Sequence, residues 1–211
     1  MLQQKIFIIG LPRTANTSVC HAMLKLGLKT AHTAYTREAM EQAQVIADTP
    51  VFCDYPKLAE LYPSAKFIYL TRDLSLWLPS IRQLLSRMYD NLQRPDGGFN
   101  PIIKRCYNQV FFPLTRENIA SDTFLQECYR RHREAVLDFF SDRPQELLTL
   151  DVNMPKGYSL LRDFLSLDSC YLTEQRFEVM NIGGKVTAWN QIRHPLKIAS
   201  TRAGKVDKIW Y

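Results

Sequence analysis

The stretch Lys5-Ile6-Phe7-Ile8-Ile9-Gly10-Leu11-Pro12-Arg13-Thr14-Ala15-Asn16-Thr17-Ser18 decides how the rest of the chain is read. Lys5 to Ile9 is a short apolar run, as expected of a buried parallel strand. From Asn16 a helical pattern begins, with Val19, Cys20, Met23 and Leu24 on one face and Gly27 as a stop. A loop between a buried strand and a helix N-terminus aims several backbone N–H groups at one point, and the helix dipole adds positive potential there. Thr14, Thr17 and Ser18 add hydroxyls and Arg13 a cation. The stretch therefore predicts a site for a phosphate or sulfate group. It is not a Walker A loop, because Ala15-Asn16-Thr17 stands where that motif needs Gly-Lys-Ser/Thr.

Working outward, the strand signals recur. Arg37 to Ala47 reads as a helix, Val51-Phe52-Cys53-Asp54 as a short strand, and Lys57 to Tyr62 as a brief helix. Lys66 to Thr71 is another buried strand. Leu74 to Leu92 then keeps helical spacing, with Pro79 expected in its first turn. Pro95, Gly97, Gly98 and Pro101 make Gln93 to Pro101 a loop, and a helix follows to Phe112. Ser121 caps a long helix; Leu147 to Asp151 is a fourth strand and Tyr158 to Leu165 a further helix. Strands alternating with helices predict an α/β fold: a parallel sheet of about 4–5 strands with crossover helices on both faces. The 211 residues suit a single domain, with 93–120 as a lid-like insertion.

Composition narrows the function classes. Hydrophobic content of 46% and charged content of 23% are ordinary for a globular protein. No run is apolar for long enough to span a bilayer, and the first residues lack a signal-peptide layout. The five cysteines are scattered without metal or disulfide spacing and predict reduced thiols in a cytoplasmic protein. A net charge of +6 fits a polyanionic small molecule. It would also fit nucleic acid, but no interleaved basic and aromatic motif supports that partner.

The loop resembles the 5′-phosphosulfate loop of sulfotransferases that use 3′-phosphoadenosine 5′-phosphosulfate (PAPS), Pro-Lys/Arg-Ser/Thr-Gly-Thr-Thr/Ser. Pro12, Arg13, Thr14, Thr17 and Ser18 match, while Ala15 replaces the usual Gly and Asn16 the first Thr. The Ala15 departure matters if that position needs a positive φ. Arg72 closes a strand and Ser80 follows eight residues later, the spacing at which the family grips the 3′-phosphate. Ser200-Thr201-Arg202-Ala203-Gly204-Lys205 resembles the C-terminal loop that closes on the same phosphate, with Arg202 and Gly204 matching; Gly183-Gly184-Lys185 is the alternative counterpart. Tyr129, His132, 146–152 and 177–181 also look like bacterial members.

The resemblance implies a P-loop-like three-layer sandwich with residues 182–211 as a cofactor-closing segment. It implies in-line sulfuryl transfer from PAPS to a small-molecule or glycan acceptor, leaving adenosine 3′,5′-bisphosphate (PAP). Arg13 to Ser18, Arg72, Ser80, Arg202 and Gly204 would hold the nucleotide, and no metal is expected. For the general base, Asp54 is the first candidate: it ends the expected 51–54 strand, and Asp54-Tyr55-Pro56 occupies the stretch where many members place His-Leu-Pro. His32 is the second. Tyr55, Trp77, Tyr89 and Phe99 are candidates to line the acceptor pocket. A P-loop kinase and a non-catalytic PAP binder are the competing readings.

Overall fold

A computed structural model describes residues 4–167, 176–180 and 188–207. Gly183-Gly184-Lys185, Asn181 and Trp210 lie outside them. Five strands, β1 (Ile6–Ile8), β2 (Thr30–Ala31), β3 (Val45–Ala47), β4 (Lys66–Thr71) and β5 (Leu147–Asp151), form one sheet in the order β2-β3-β1-β4-β5. Every pair is parallel, with Ile6 beside both Val45 and Lys66, and Phe67 beside Leu147. All five carboxyl ends therefore open onto one edge.

Alternation along the strands divides the core into two layers. Phe7, Ile46, Phe67 and Tyr69 face α3 (Val51–Leu61), α4 (Leu74–Gln93), α5 (Pro101–Val110) and α7 (Asp122–Phe139). Ile6, Ile8, Val45, Ile68 and Leu70 face α1 (Asn16–Lys25) and α8 (Gly157–Phe164). The short α2 (Arg37–Gln42) and α6 (Arg116–Ala120), with α9 (Ala188–Gln191), complete the described helices. Among the described residues no helix is long and apolar enough to cross a membrane.

One region departs from the sequence expectation. The helix expected over 37–47 stops at Gln42, and Val45–Ala47 is strand β3. The strand expected over 51–54 is the first turn of α3. A three-residue strand is too short to show a period, so its apolar residues read as the end of the preceding helix. Pro56 disguised α3. Its missing N–H would orphan the Phe52 carbonyl, but His132 Nε2 on α7 lies 2.8 Å from that oxygen and supplies the donor instead. Pro79 sits in the second turn of α4, not the first.

Candidate active site

The loop after β1 owes its shape to two close fits and two unusual dihedrals. A Cβ on Gly10 would lie 2.5 Å from Leu70 Cβ and 2.6 Å from Thr14 Oγ1, so only glycine lets the loop pass β4. Arg13 and Ala15 both adopt left-handed conformations, with φ of 73° and 74°. Such turns curl successive N–H groups toward a concave face. Ala15 is thus the N-cap of α1 in a conformation that favours glycine, and its side chain can supply no cap. The first intrahelical bond is Val19 N–H to Ala15 O, so the N–H groups of Asn16, Thr17 and Ser18 have no helical partner. Thr14 Oγ1 donates inward to Leu11 O at 2.7 Å, and Asn16 Nδ2 turns to the Gly10 and Leu11 carbonyls. These two side chains brace the loop and leave the backbone to meet a ligand.

Two guanidinium groups border the loop. Arg13 Nε donates to Ser80 Oγ at 2.7 Å, and Arg72 Nη1 donates to the Arg13 carbonyl at 2.8 Å. Neither arginine forms an ion pair among the described residues. Burial, then the charges of Arg72 and Arg87, push the Arg13 pKa down from the ordinary guanidinium range. Asp48 pulls it back up from across the cavity. Clustered cations at a half-buried site attract an anion. Trp77 Nε1 donates to Pro12 O at 2.9 Å, while the Tyr129 hydroxyl accepts from Arg72 N–H at 3.0 Å. Helices α4 and α7 thereby hold both arginines in place.

A cavity of about 870 Å³ opens over this edge. Each strand end contributes to its wall: Pro12 to Ser18 after β1, His32 after β2, Asp48 after β3, Arg72 after β4, and Asp151 at the end of β5. Open α/β sheets bind ligands at this edge. Among the described residues three carboxylates line the cavity, and two are tied to groups beyond their nearest chain neighbour. Asp151 Oδ1 accepts from Asn153 N–H at 2.9 Å, and Glu178 pairs with Lys25 and with His21. Asp48 Oδ1 accepts the Thr49 hydroxyl at 3.0 Å, and the Thr49 backbone N–H also bonds this carboxylate. Burial raises the Asp48 pKa, opposed first by His32. The His32 pKa is lowered by burial, with Asp48 pulling it back up and Lys197 lowering it further. Its Nε2 lies 2.9 Å from Thr17 Oγ1, and its ring packs 5.4 Å from that of Trp189. Among the described residues no three His, Cys, Asp or Glu side chains gather as a metal site would require.

A family model described as a sulfotransferase domain matches residues 31–185, nearly three quarters of the chain. The chain belongs to the sulfotransferase-domain family. This match begins beyond the Gly10 to Ser18 loop, so the loop stands as a separate line of support. The family makes the chain a transferase of the sulfotransfer class. No match to a curated protein was found.

Within this sulfotransferase domain, Arg13 to Ser18, Arg72, Ser80 and His32 all line the one cavity. Asp54 does not. It lies in the first turn of α3, and its carboxylate forks onto Arg105 at 2.8 and 2.6 Å. Of the two reasons for choosing it, the strand end fails, because residues 51–54 are helical. Arg202 and Gly204 are also away from the cavity wall. They form a tight turn in which Arg202 and Lys205 exchange backbone hydrogen bonds, and Ala203 and Gly204 have φ of 50° and 80°. That turn ends a segment joined to β2, where Thr30 N–H bonds Leu196 O and Ile198 N–H bonds Thr30 O. Of the aromatic residues suggested for the acceptor pocket, Phe99 lines the cavity. Trp77 is fully buried, Tyr55 packs edge-on against Phe139, and Tyr89 stacks under Arg116.

Sequence reasoning missed Asp48. A signal existed: Asp48-Thr49-Pro50 has the same Asp-x-Pro form as Asp54-Tyr55-Pro56 and follows the true strand.

Proposed function

We propose that this domain transfers a sulfuryl group from PAPS to an acceptor hydroxyl or amine, with Asp48 as general base. The observation that carries the reading is the pair of arginines without ion-pair partners beside an uncapped helix N-terminus. The backbone N–H groups at the α1 N-terminus suit one anionic end of the nucleotide, and Arg72 with Ser80 suits the other. Bound there, PAPS supplies an activated sulfuryl group whose leaving group is the nucleotide 5′-phosphate.

The protein's part is positioning and electrostatics. Arg13 and the α1 N-terminus stabilise negative charge as it develops on the leaving oxygen. Ser80 Oγ accepts from Arg13, which leaves its own proton to donate to the 3′-phosphate. Asp48 takes the acceptor proton from the β3 side. Its raised pKa makes it a better base than a solvated carboxylate. His32 faces the same space, but its Nε2 is engaged with the Thr17 hydroxyl, so we give it the task of holding the loop. Cys20, Cys53, Cys106 and Cys128 are free thiols, which suits a reducing compartment such as the cytoplasm.

Titration calorimetry tests the reading. PAP should bind without magnesium, and labelled PAPS should lose its sulfuryl group to an acceptor. Arg72→Ala should weaken PAP about 10- to 100-fold while barely changing adenosine 5′-monophosphate. Equal losses for both nucleotides, or ATP binding that requires magnesium, would overturn it.

A further inference from the structure

One hydrogen bond of the loop after β1 has a direction that a ligand can decide. Thr14 Oγ1 gives its proton to Leu11 O, and Asn16 Nδ2 is turned to the Gly10 and Leu11 carbonyls. Both side chains are spent inside the loop. Thr17 and Ser18 are the hydroxyls that remain on the cavity wall. Thr17 Oγ1 lies 2.9 Å from His32 Nε2, and His32 lines the same cavity. A hydroxyl has one proton and two lone pairs. If Nε2 is bare, Thr17 donates to it and turns a lone pair to an incoming phosphate or sulfate. If Nε2 carries a proton, it donates to Thr17 and releases the Thr17 proton from this bond. A ligand that only accepts hydrogen bonds favours the second arrangement.

The ring of His32 is enclosed by four segments. Thr17 faces it from α1, Asp48 from the end of β3, the Trp189 ring from α9 at 5.4 Å, and Lys197 from the segment that follows. Asp48 favours the imidazolium, while burial and Lys197 oppose it and win, leaving the pKa below the usual histidine value. The free protein therefore holds His32 neutral near pH 7. An anion at the α1 N-terminus brings a second negative charge to the ring and moves the balance toward the imidazolium. A charged His32 in turn favours the ionised form of Asp48. Asp48 also faces Arg13, and its charge reaches the Tyr35 and Tyr107 hydroxyls. Burial raises the pKa of both phenols, so they stay protonated at neutral pH and His32 is the group that responds.

Resting on the sulfotransfer reading, we propose that His32 is a positioning residue: its Nε2–H, donated to Thr17 Oγ1, turns the Thr17 proton onto the anionic leaving group, and the bound anion draws the required proton onto His32. Up to one proton is taken from solution for each anion bound. Anion affinity is greatest below the free-state pKa of His32 and falls to a plateau as pH rises past the bound-state value. Loading the donor site also readies the base, because the imidazolium that orients Thr17 holds Asp48 as a carboxylate.

NMR titration of the His32 ring in the full chain tests this, with PAP and with inorganic sulfate, whose charge is constant across the neutral range. Saturation with either anion should raise the pH at which His32 titrates by about 1 or more, which corresponds to about a tenfold difference in affinity between the two plateaus. Thr17→Val and His32→Ala should each weaken PAP about tenfold, and the double variant little more than either alone, since both remove one bond. His32→Gln places an amide donor that does not titrate. It should restore most of the PAP affinity lost in His32→Ala and take up fewer protons on binding than the wild type. A His32 that titrates at the same pH with and without both anions, equal proton uptake by wild type and His32→Gln, or fully additive losses in the double variant would overturn the proposal. The ring titration uses the wild type and so decides the matter even where a variant does not fold. If PAP failed to bind while sulfate still moved the His32 titration, the nucleotide reading would fall and the coupling would stand.

Discussion

The two halves of the sheet are built in different ways. On the β1–β4 side, each strand leads into a helix of at least ten residues, and the loop after β1 presents mainly backbone groups. On the β2–β3 side the strands are two and three residues long, and distant segments hold them in place. Gln44 N–H bonds Lys29 O, Tyr35 N–H bonds Ser200 O, and Arg37 N–H bonds Asp207. The first half, which we propose as an anion cradle, is specified locally. The second carries the side chains suited to proton transfer, and tertiary contacts position them. Local motifs therefore reveal the ligand class more readily than the chemistry performed on it.

The sharpest way to break this comparison is a pair of substitutions six residues apart. Asp48→Asn should lower kcat by about 10²- to 10⁴-fold and leave PAP affinity intact. Asp54→Asn should retain turnover and lose about 1–2 kcal/mol of stability, because its partner Arg105 is 44% exposed and can return to water. Turnover retained in the first variant and lost in a folded second would return the base to α3.

A smaller effect separates the packed α3–α7 seam from the site. Burial lowers the His132 pKa to about 4. The unfolded chain protonates near pH 6.5 and the folded chain only near 4, so between these values the unfolded state binds more protons. Stability should fall as pH drops through that window, by about 3 kcal/mol at its acid end. Urea unfolding of the wild type and His132→Gln between pH 7 and 4 measures it. An identical pH slope in both would show that His132 does not contribute.

The smallest expected change concerns the cradle. Ala15→Gly relieves a left-handed alanine and should stabilise the fold by about 1 kcal/mol, seen as a rise in Tm of about 2–4 °C. A lower Tm would mean that the Ala15 methyl contributes more through packing than its backbone costs.

These differences also explain what the sequence made legible. β4 and β5 were expected over 66–71 and 147–151 and occupy those residues, because each is long enough for its apolar run to stand apart from its neighbours. The N-cap of α7 at Ser121 was readable because its side chain accepts from Phe124 N–H, a purely local event. β3 was not legible: three apolar residues adjoining a helix carry no period of their own. Pro56 made α3 look like a break, since the donor that compensates for it comes from His132, 76 positions away. Arg13, Arg72 and Ser80 were singled out by their resemblance to the family's motifs, and all three line the cavity. Asp48 was not, since its place depends on where β3 ends. Tyr107 sits on a helix whose aromatic spacing reads as core, and only the fold reveals which side of it meets open space.

The pairing of Thr30 with Leu196 and Ile198 has a further consequence for the order of events during synthesis. Strands β1, β3 and β4 can pair once the first 71 residues have emerged. The β2 wall must wait for residues 196–207, at least 125 positions later. At translation rates of roughly 5–20 residues per second, that is a delay of at least several seconds. Once α7 has emerged the two arginines can be held in place while the wall bearing His32 is still unfinished. On the proposed reading, a growing chain would thus acquire its affinity for anions before it acquires a finished place to use them.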